Sequence, residues 1–119
     1  MGRSQRVKGA TAEREVAKIF RENGFDSQRT APLQPNKAHQ AADINGVPGY
    51  HLEIKRQETI KIGEWTAQAE DEAPKGITPI VIYRKSHQPW RVVIKLEDFI
   101  TLLKKAGIDN GRDGASTSN

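Results

Sequence analysis

The stretch Tyr50-His51-Leu52-Glu53-Ile54-Lys55 constrains this chain most, because apolar and polar residues alternate in it without a break. Period-two alternation marks a strand, whose successive side chains leave on opposite faces. Tyr50, Leu52 and Ile54 therefore share one face; His51, Glu53 and Lys55 share the other, expected to lie away from the core. Just upstream, Gly46-Val47-Pro48-Gly49 reads as a turn, since Pro presets one backbone dihedral and Gly accepts a positive φ. A chain reversing there returns Asp43 to about one pairing position from Glu53. An aspartate, a glutamate and a lysine then meet at one point on a small sheet.

The remainder of the 119 residues allows one domain and no second core. No apolar run approaches the roughly 20 residues of a membrane span, and no signal-peptide core follows Met1. We therefore expect no membrane partner and a cytoplasmic address. Cysteine is absent, which excludes a disulfide framework and a thiolate zinc site. The net charge of +4 is mild, but Arg3, Arg6 and Lys8 all precede the first acid, Glu13. Residues 1–9 read as a flexible basic arm able to touch phosphates; a merely solvated terminus has the same composition.

Residues 10–107 read as the folded domain. Ala12, Val16, Ile19 and Phe20 recur at helical spacing, which predicts a helix from Thr11 to Asn23 stopped by Gly24. Phe25 to Arg29 is a candidate first strand, followed by a polar, proline-containing loop, 30–42, of a length usually tied to function. Strands at 43–47 and 50–55 come next, then a helix from Ile62 to Ala73 with Trp65 and Ala69 packed on the sheet, broken by Pro74-Lys75-Gly76. Ile80 to Tyr83 fits a strand buried on both faces, and Trp90 to Lys95 a last strand. An amphipathic helix from Glu97 to Ala106, with Phe99, Leu102 and Leu103 on its apolar side, ends at Gly107. Residues 108–119 have no apolar cluster and are expected to be disordered. The order predicts an α/β domain with a mixed central sheet flanked by helices.

Asp43 and Glu53 offer hard oxygen ligands, with the backbone carbonyl of Ile54 beside them, a set that suits Mg²⁺ while leaving room for a phosphate. Such an ion makes water more acidic and offsets charge building on a phosphoryl group. Lys55 can orient the attacking water or steady the transition state. Glu13, carried by the first helix, can hold a second metal or a metal-bound water, although an acid there also simply favours the helix N-terminus. Gln68, on the following helix, can reach the site or the DNA backbone. The parts suit hydrolysis of a phosphodiester. On spacing alone, a strand bearing Glu and Lys is more often a solvated face; the adjacent strands, Glu13 and Gln68 shift the balance.

These residues resemble the PD-(D/E)xK nuclease superfamily, and within it the archaeal-type Holliday junction resolvases (Hjc). Lys8-Gly9-Ala10-Thr11-Ala12-Glu13-Arg14-Glu15 is similar to the opening of that family, followed by Asn23-Gly24-Phe25, Arg29, Asp43-Ile44 and Leu52-Glu53-Ile54-Lys55. The resemblance implies a restriction-endonuclease-like fold and a homodimer that nicks four-way DNA junctions symmetrically with Mg²⁺, for which Mn²⁺ substitutes. It implies that Glu13, Asp43 and Glu53 are the metal-site acids, that Lys55 is the catalytic lysine, and that Arg29 lies near phosphate. Arg14, Lys37, Arg56 and Gln68 join Arg3, Arg6 and Lys8 as candidate DNA contacts. The loop before Asp43 is longer than in resolvases and lacks their serine, and Ala42 stands where Pro is frequent. The compact form with an altered loop suits a phage or mobile element.

The superfamily requires no histidine, so His39 and His51 are expected to be partly exposed, structural or DNA-facing. A two-fold junction calls for two sites in one particle, hence a homodimer, with Trp90, Val92 and Phe99 as candidate interface. No glycine-rich nucleotide loop occurs, so no small-molecule cofactor is expected. The competing functions are a related nuclease for flaps, forks or duplex DNA, and a catalytically silent DNA-binding module of the same fold.

Overall fold

Parallel pairing dictates the architecture. A computed structural model describes residues 2–30 and 42–108. The elements are α1 (Gly2–Glu22), β1 (Tyr50–Arg56), α2 (Ile62–Glu72), β2 (Thr78–Arg84), β3 (Arg91–Val93) and α3 (Leu96–Lys105). β1 and β2 run parallel, with Leu52 opposite Ile80, Glu53 opposite Val81 and Ile54 opposite Ile82; β3 joins β2 antiparallel. A parallel pair needs a crossover, and α2 supplies it by packing back over the sheet. Ile44 extends the sheet on the other side through single antiparallel bridges to Arg29 and Leu52.

Both sheet faces are consequently covered. Ala12, Val16 and Ala17 of α1 pack on Leu52, Ile54, Ile80 and Ile82, while Trp65 and Ala69 of α2 pack on Val81. This corrects the expectation that His51 and Glu53 face away from the core: they are 3% and 2% exposed. Period two tells which residues share a face, but the crossover helix decides that this face is interior too.

Other boundaries shift. Residues 2–9, expected as a flexible arm, form the first turns of α1; no proline interrupts 2–22, and Arg, Gln, Lys and Ala favour helix. The candidate strands at 25–29 and 43–47 reduce to the two bridges at Arg29 and Ile44, held by Thr30 N–H to the Asp43 carbonyl and Asn45 N–H to the Gln28 carbonyl. The loop at 31–41, with Lys37 and His39, and the tail at 109–119 lie outside the described residues.

α1 ends as its sequence demands. Gly24 takes φ +96°, the Phe25 N–H returns to the Phe20 carbonyl, and the two phenyl rings meet edge to face at 5.5 Å. The helix is also anchored on its flanks. Glu13 accepts from Arg29 Nε at 2.7 Å, and Glu15 accepts from the Trp90 indole N–H at 2.9 Å, with the Arg84 guanidinium stacked over that indole. Trp90, a candidate for the dimer surface, is therefore half-buried and engaged within the chain. α3 buries none of its residues; Leu96, Phe99 and Ile100 are exposed, as is Val92 of β3.

Gly46 is the tightest backbone approach, since a Cβ there would collide with the Asp26 carbonyl, and its φ is +87°. Gly24 has a similar φ but open space around it. Gly46→Ala should therefore cost the positive-φ strain of about 1–2 kcal/mol plus overpacking of about 1–3 kcal/mol. Gly24→Ala should cost the strain alone; urea unfolding of the two variants measures the difference.

Candidate active site

β1 brings the site together because it lies between the Asp43 bridge and α2. The Asp43 N–H donates to the Leu52 carbonyl, and the Ile54 N–H donates to Asp43 Oδ2 at 2.7 Å. The aspartate is thus locked beside Glu53, as the reversal at Pro48-Gly49 requires. Glu13, Asp43, Glu53, Ile54 and Lys55 line one open cleft of about 620 Å³, together with Lys8, Arg56, Lys61 and Gln68. Lys55 Nζ donates to Gln68 Oε1 at 3.0 Å, and Gln68 Nε2 donates to Glu72 at 3.3 Å.

The electrostatics are those of crowded acids. Burial, reinforced by the Glu13 charge and opposed by the Ile54 N–H and Lys55, raises Asp43 to about 6. Burial, with the charges of Asp43 and Glu72 added, raises Glu53 to about 9. Burial also lowers the His51 imidazole below its usual range. Both shifts favour the uncharged forms of His51 and Glu53, whose Nε2 and Oε2 stand 2.7 Å apart.

The candidate DNA contacts are dispersed. Lys8 lines the cleft and is exposed; Arg56, also on its rim, donates to Ser86 Oγ at 2.8 Å. Arg29 is taken up by Glu13, and Arg14 sits beside it on the outer side of α1 in a second depression with Arg21 and Gln28. Arg3 and Arg6 lie in the first two turns of α1. Sequence reasoning misses Lys61 on the cleft wall. It also leaves His51 as a partly exposed residue and Glu72 as a mere neighbour of Gln68, whereas both close behind Glu53. The spacing of His51 two before Glu53 carries that signal once the face is known to be interior.

The mixed sheet, with helices on both faces, carries an Asp, a Glu and a Lys in one cleft beside β1. Residues 4–112 match the family described as "Phage putative PDDEXK endonuclease", and the chain belongs to that family of endonucleases. The solved structure of Archaeoglobus fulgidus Hjc, a Holliday junction resolvase from an archaeal hyperthermophile, superposes with a TM-score of 0.53. The alignment covers 73% of this chain and 72% of that one at 20% identity, and establishes the restriction-endonuclease-like fold. No curated protein matches the sequence.

The raised carboxyls set a pH dependence. Unfolded, Asp43 and Glu53 titrate at their ordinary 3.8 and 4.5; folded, they hold protons to about 6 and about 9. The native state binds more protons across that window, so its stability falls as pH rises through it. In the absence of divalent cations, the urea midpoint should drop between about pH 5 and about pH 9, and Glu53→Gln should flatten the drop.

Proposed function

We propose that the chain is a Mg²⁺-dependent, structure-selective DNA endonuclease that resolves four-way (Holliday) junctions by paired symmetric nicks. The observation that carries this reading is the meeting of Glu13, Asp43, Glu53 and Lys55 in one open cleft. The likeness to a junction resolvase structure adds support for the substrate.

The donor set fits a divalent cation. Three carboxylates line the cleft, and burial leaves two of them reluctant to ionise without a compensating charge. Lys55 is the cation acting on both. Asp43 and Glu53, with the Ile54 carbonyl and Glu13, would hold the ion. When bound, Mg²⁺ supplies charge neutralisation at the phosphodiester and a more acidic water. Within the chain, the Ile54 N–H fixes one oxygen of Asp43. Lys55, steered by Gln68, places its ammonium where charge develops on the scissile phosphate. Lys8, Arg56 and Lys61 on the walls meet the flanking phosphates, and Arg3, Arg6, Arg14 and Arg29 extend the contact surface.

Symmetric nicking requires two such clefts in one particle. We place the contact between two copies at β3 and α3, where Val92, Leu96, Phe99 and Ile100 form an uncovered apolar surface. No described helix is long and apolar enough to cross a membrane; the cytoplasm of an infected cell, where branched DNA arises, is the proposed site of action.

With Mg²⁺ or Mn²⁺, the full chain should nick opposing strands of a labelled synthetic four-way junction and spare linear duplex of equal length. Asp43→Asn and Lys55→Ala should each lower cleavage by at least about 100-fold and leave junction binding intact. Equal cutting of junction and duplex would reassign it as a general nuclease, and binding without cutting as a silent DNA-binding module.

Replacing Arg3, Arg6 and Lys8 together by Ala should weaken junction binding. The slope of log K against log salt should shrink by roughly 0.9 for each phosphate no longer neutralised. An unchanged slope would remove the helix N-terminus from the DNA surface.

A further inference from the structure

The polar groups behind Glu53 take no part in the chemistry above. His51, Glu53 and Glu72 each present one ligand atom, and these atoms lie within 4.8 Å of one another. His51 Nε2 stands 2.7 Å from Glu53 Oε2 and 4.0 Å from Glu72 Oε1. We propose that these three residues form a second cation site, on the α2 side of Glu53, that takes a first-row transition ion such as Mn²⁺ or Zn²⁺.

Geometry and chemistry both favour this. Bonds of about 2.0–2.2 Å place neighbouring ligands on such an ion roughly 3 to 3.5 Å apart. Here, the His51–Glu53 separation needs to open slightly, the His51–Glu72 separation to close by a similar amount, and the Glu53–Glu72 separation already lies within 4.8 Å. Glu72, in the last turn of α2, and His51 and Glu53, two apart on one strand face, are carried on regular elements already packed together. An imidazole ligand favours a transition ion over Mg²⁺, which prefers oxygen and keeps its waters. Burial of His51 and Glu53 leaves no space there for a DNA phosphate, so the site is not a substrate subsite. Among the described residues, neither Glu53 nor Glu72 forms an ion pair with a lysine or arginine. A cation between them would engage both carboxyls. It would also hold the back of Glu53 and fix which oxygen is turned to the cleft. The site shares Glu53 with the proposed nuclease centre but does not depend on what that centre cuts.

The test is Mn²⁺ loading of the full chain, read by bound-metal stoichiometry and by electron spin echo, which detects ¹⁴N coupling from a ligating imidazole. Two ions per chain are expected, one with nitrogen coupling. Asp43→Asn should remove the ion without coupling and keep the other. His51→Gln should remove the coupled ion and leave one. Should His51→Gln fail to fold, Glu72→Gln, at the less buried edge of the cluster, decides: one ion without nitrogen coupling supports the site, and two ions overturn it. Absence of nitrogen coupling in the wild type, or its survival in a folded His51→Gln, also overturns it. Junction cleavage run on the same samples separates the two readings. Cleavage without a nitrogen-coupled ion defeats only the second site, whereas a nitrogen-coupled ion without cleavage defeats only the nuclease assignment.

Discussion

The Ile54 N–H donated to Asp43 Oδ2 is the contact on which the cleft depends. It ties the segment that precedes β1 to the centre of the sheet and puts an acceptor-only side chain against a buried strand. Ile44, next in sequence, is almost wholly buried and bridges both Arg29 and Leu52. Asp43 is therefore placed by its neighbour's burial and by one hydrogen bond rather than by a long ladder. A short irregular segment can hold a carboxylate this firmly only because hydrophobic and polar anchors act at adjacent positions.

From that contact the charges follow. Asp43 beside Glu53, with Glu13 and Glu72 near, crowds acids where α1 and α2 pack on the sheet. Such clusters oppose folding unless protonated or joined by a cation. On the proposed reading, a counter-ion relieves that destabilisation; a site relaxed without one would have little reason to bind it.

The fold is largely legible in the sequence because its elements keep clean periods. α2 can be read almost to the residue from Trp65, Ala69 and the Pro74-Lys75-Gly76 break, and the α1 stop from Gly24. What is not legible depends on tertiary pairing. Alternation at 50–55 assigns side chains to faces but cannot say that α2 buries the face bearing His51 and Glu53. The Ile80–Tyr83 run, apolar on both faces, holds the clue, since a strand parallel to it lies under the same crossover. The short bridges at Arg29 and Ile44 look like full strands in the sequence because local propensity does not report that pairing stops after one residue. Glu72 escapes notice because its meaning lies across the sheet, not along the helix.

The two anchors of α1 carry a mechanical consequence. Glu13 and Glu15 are two positions apart, so their side chains leave the helix on nearly opposite flanks, one toward Arg29 and the other toward Trp90 and Arg84. Held from both sides, the cylinder resists torque about its long axis. Release of the indole tether on the far flank would let it roll, and the carboxylate at position 13 would swing with it, so an edit at Trp90 retunes a cleft that it never touches.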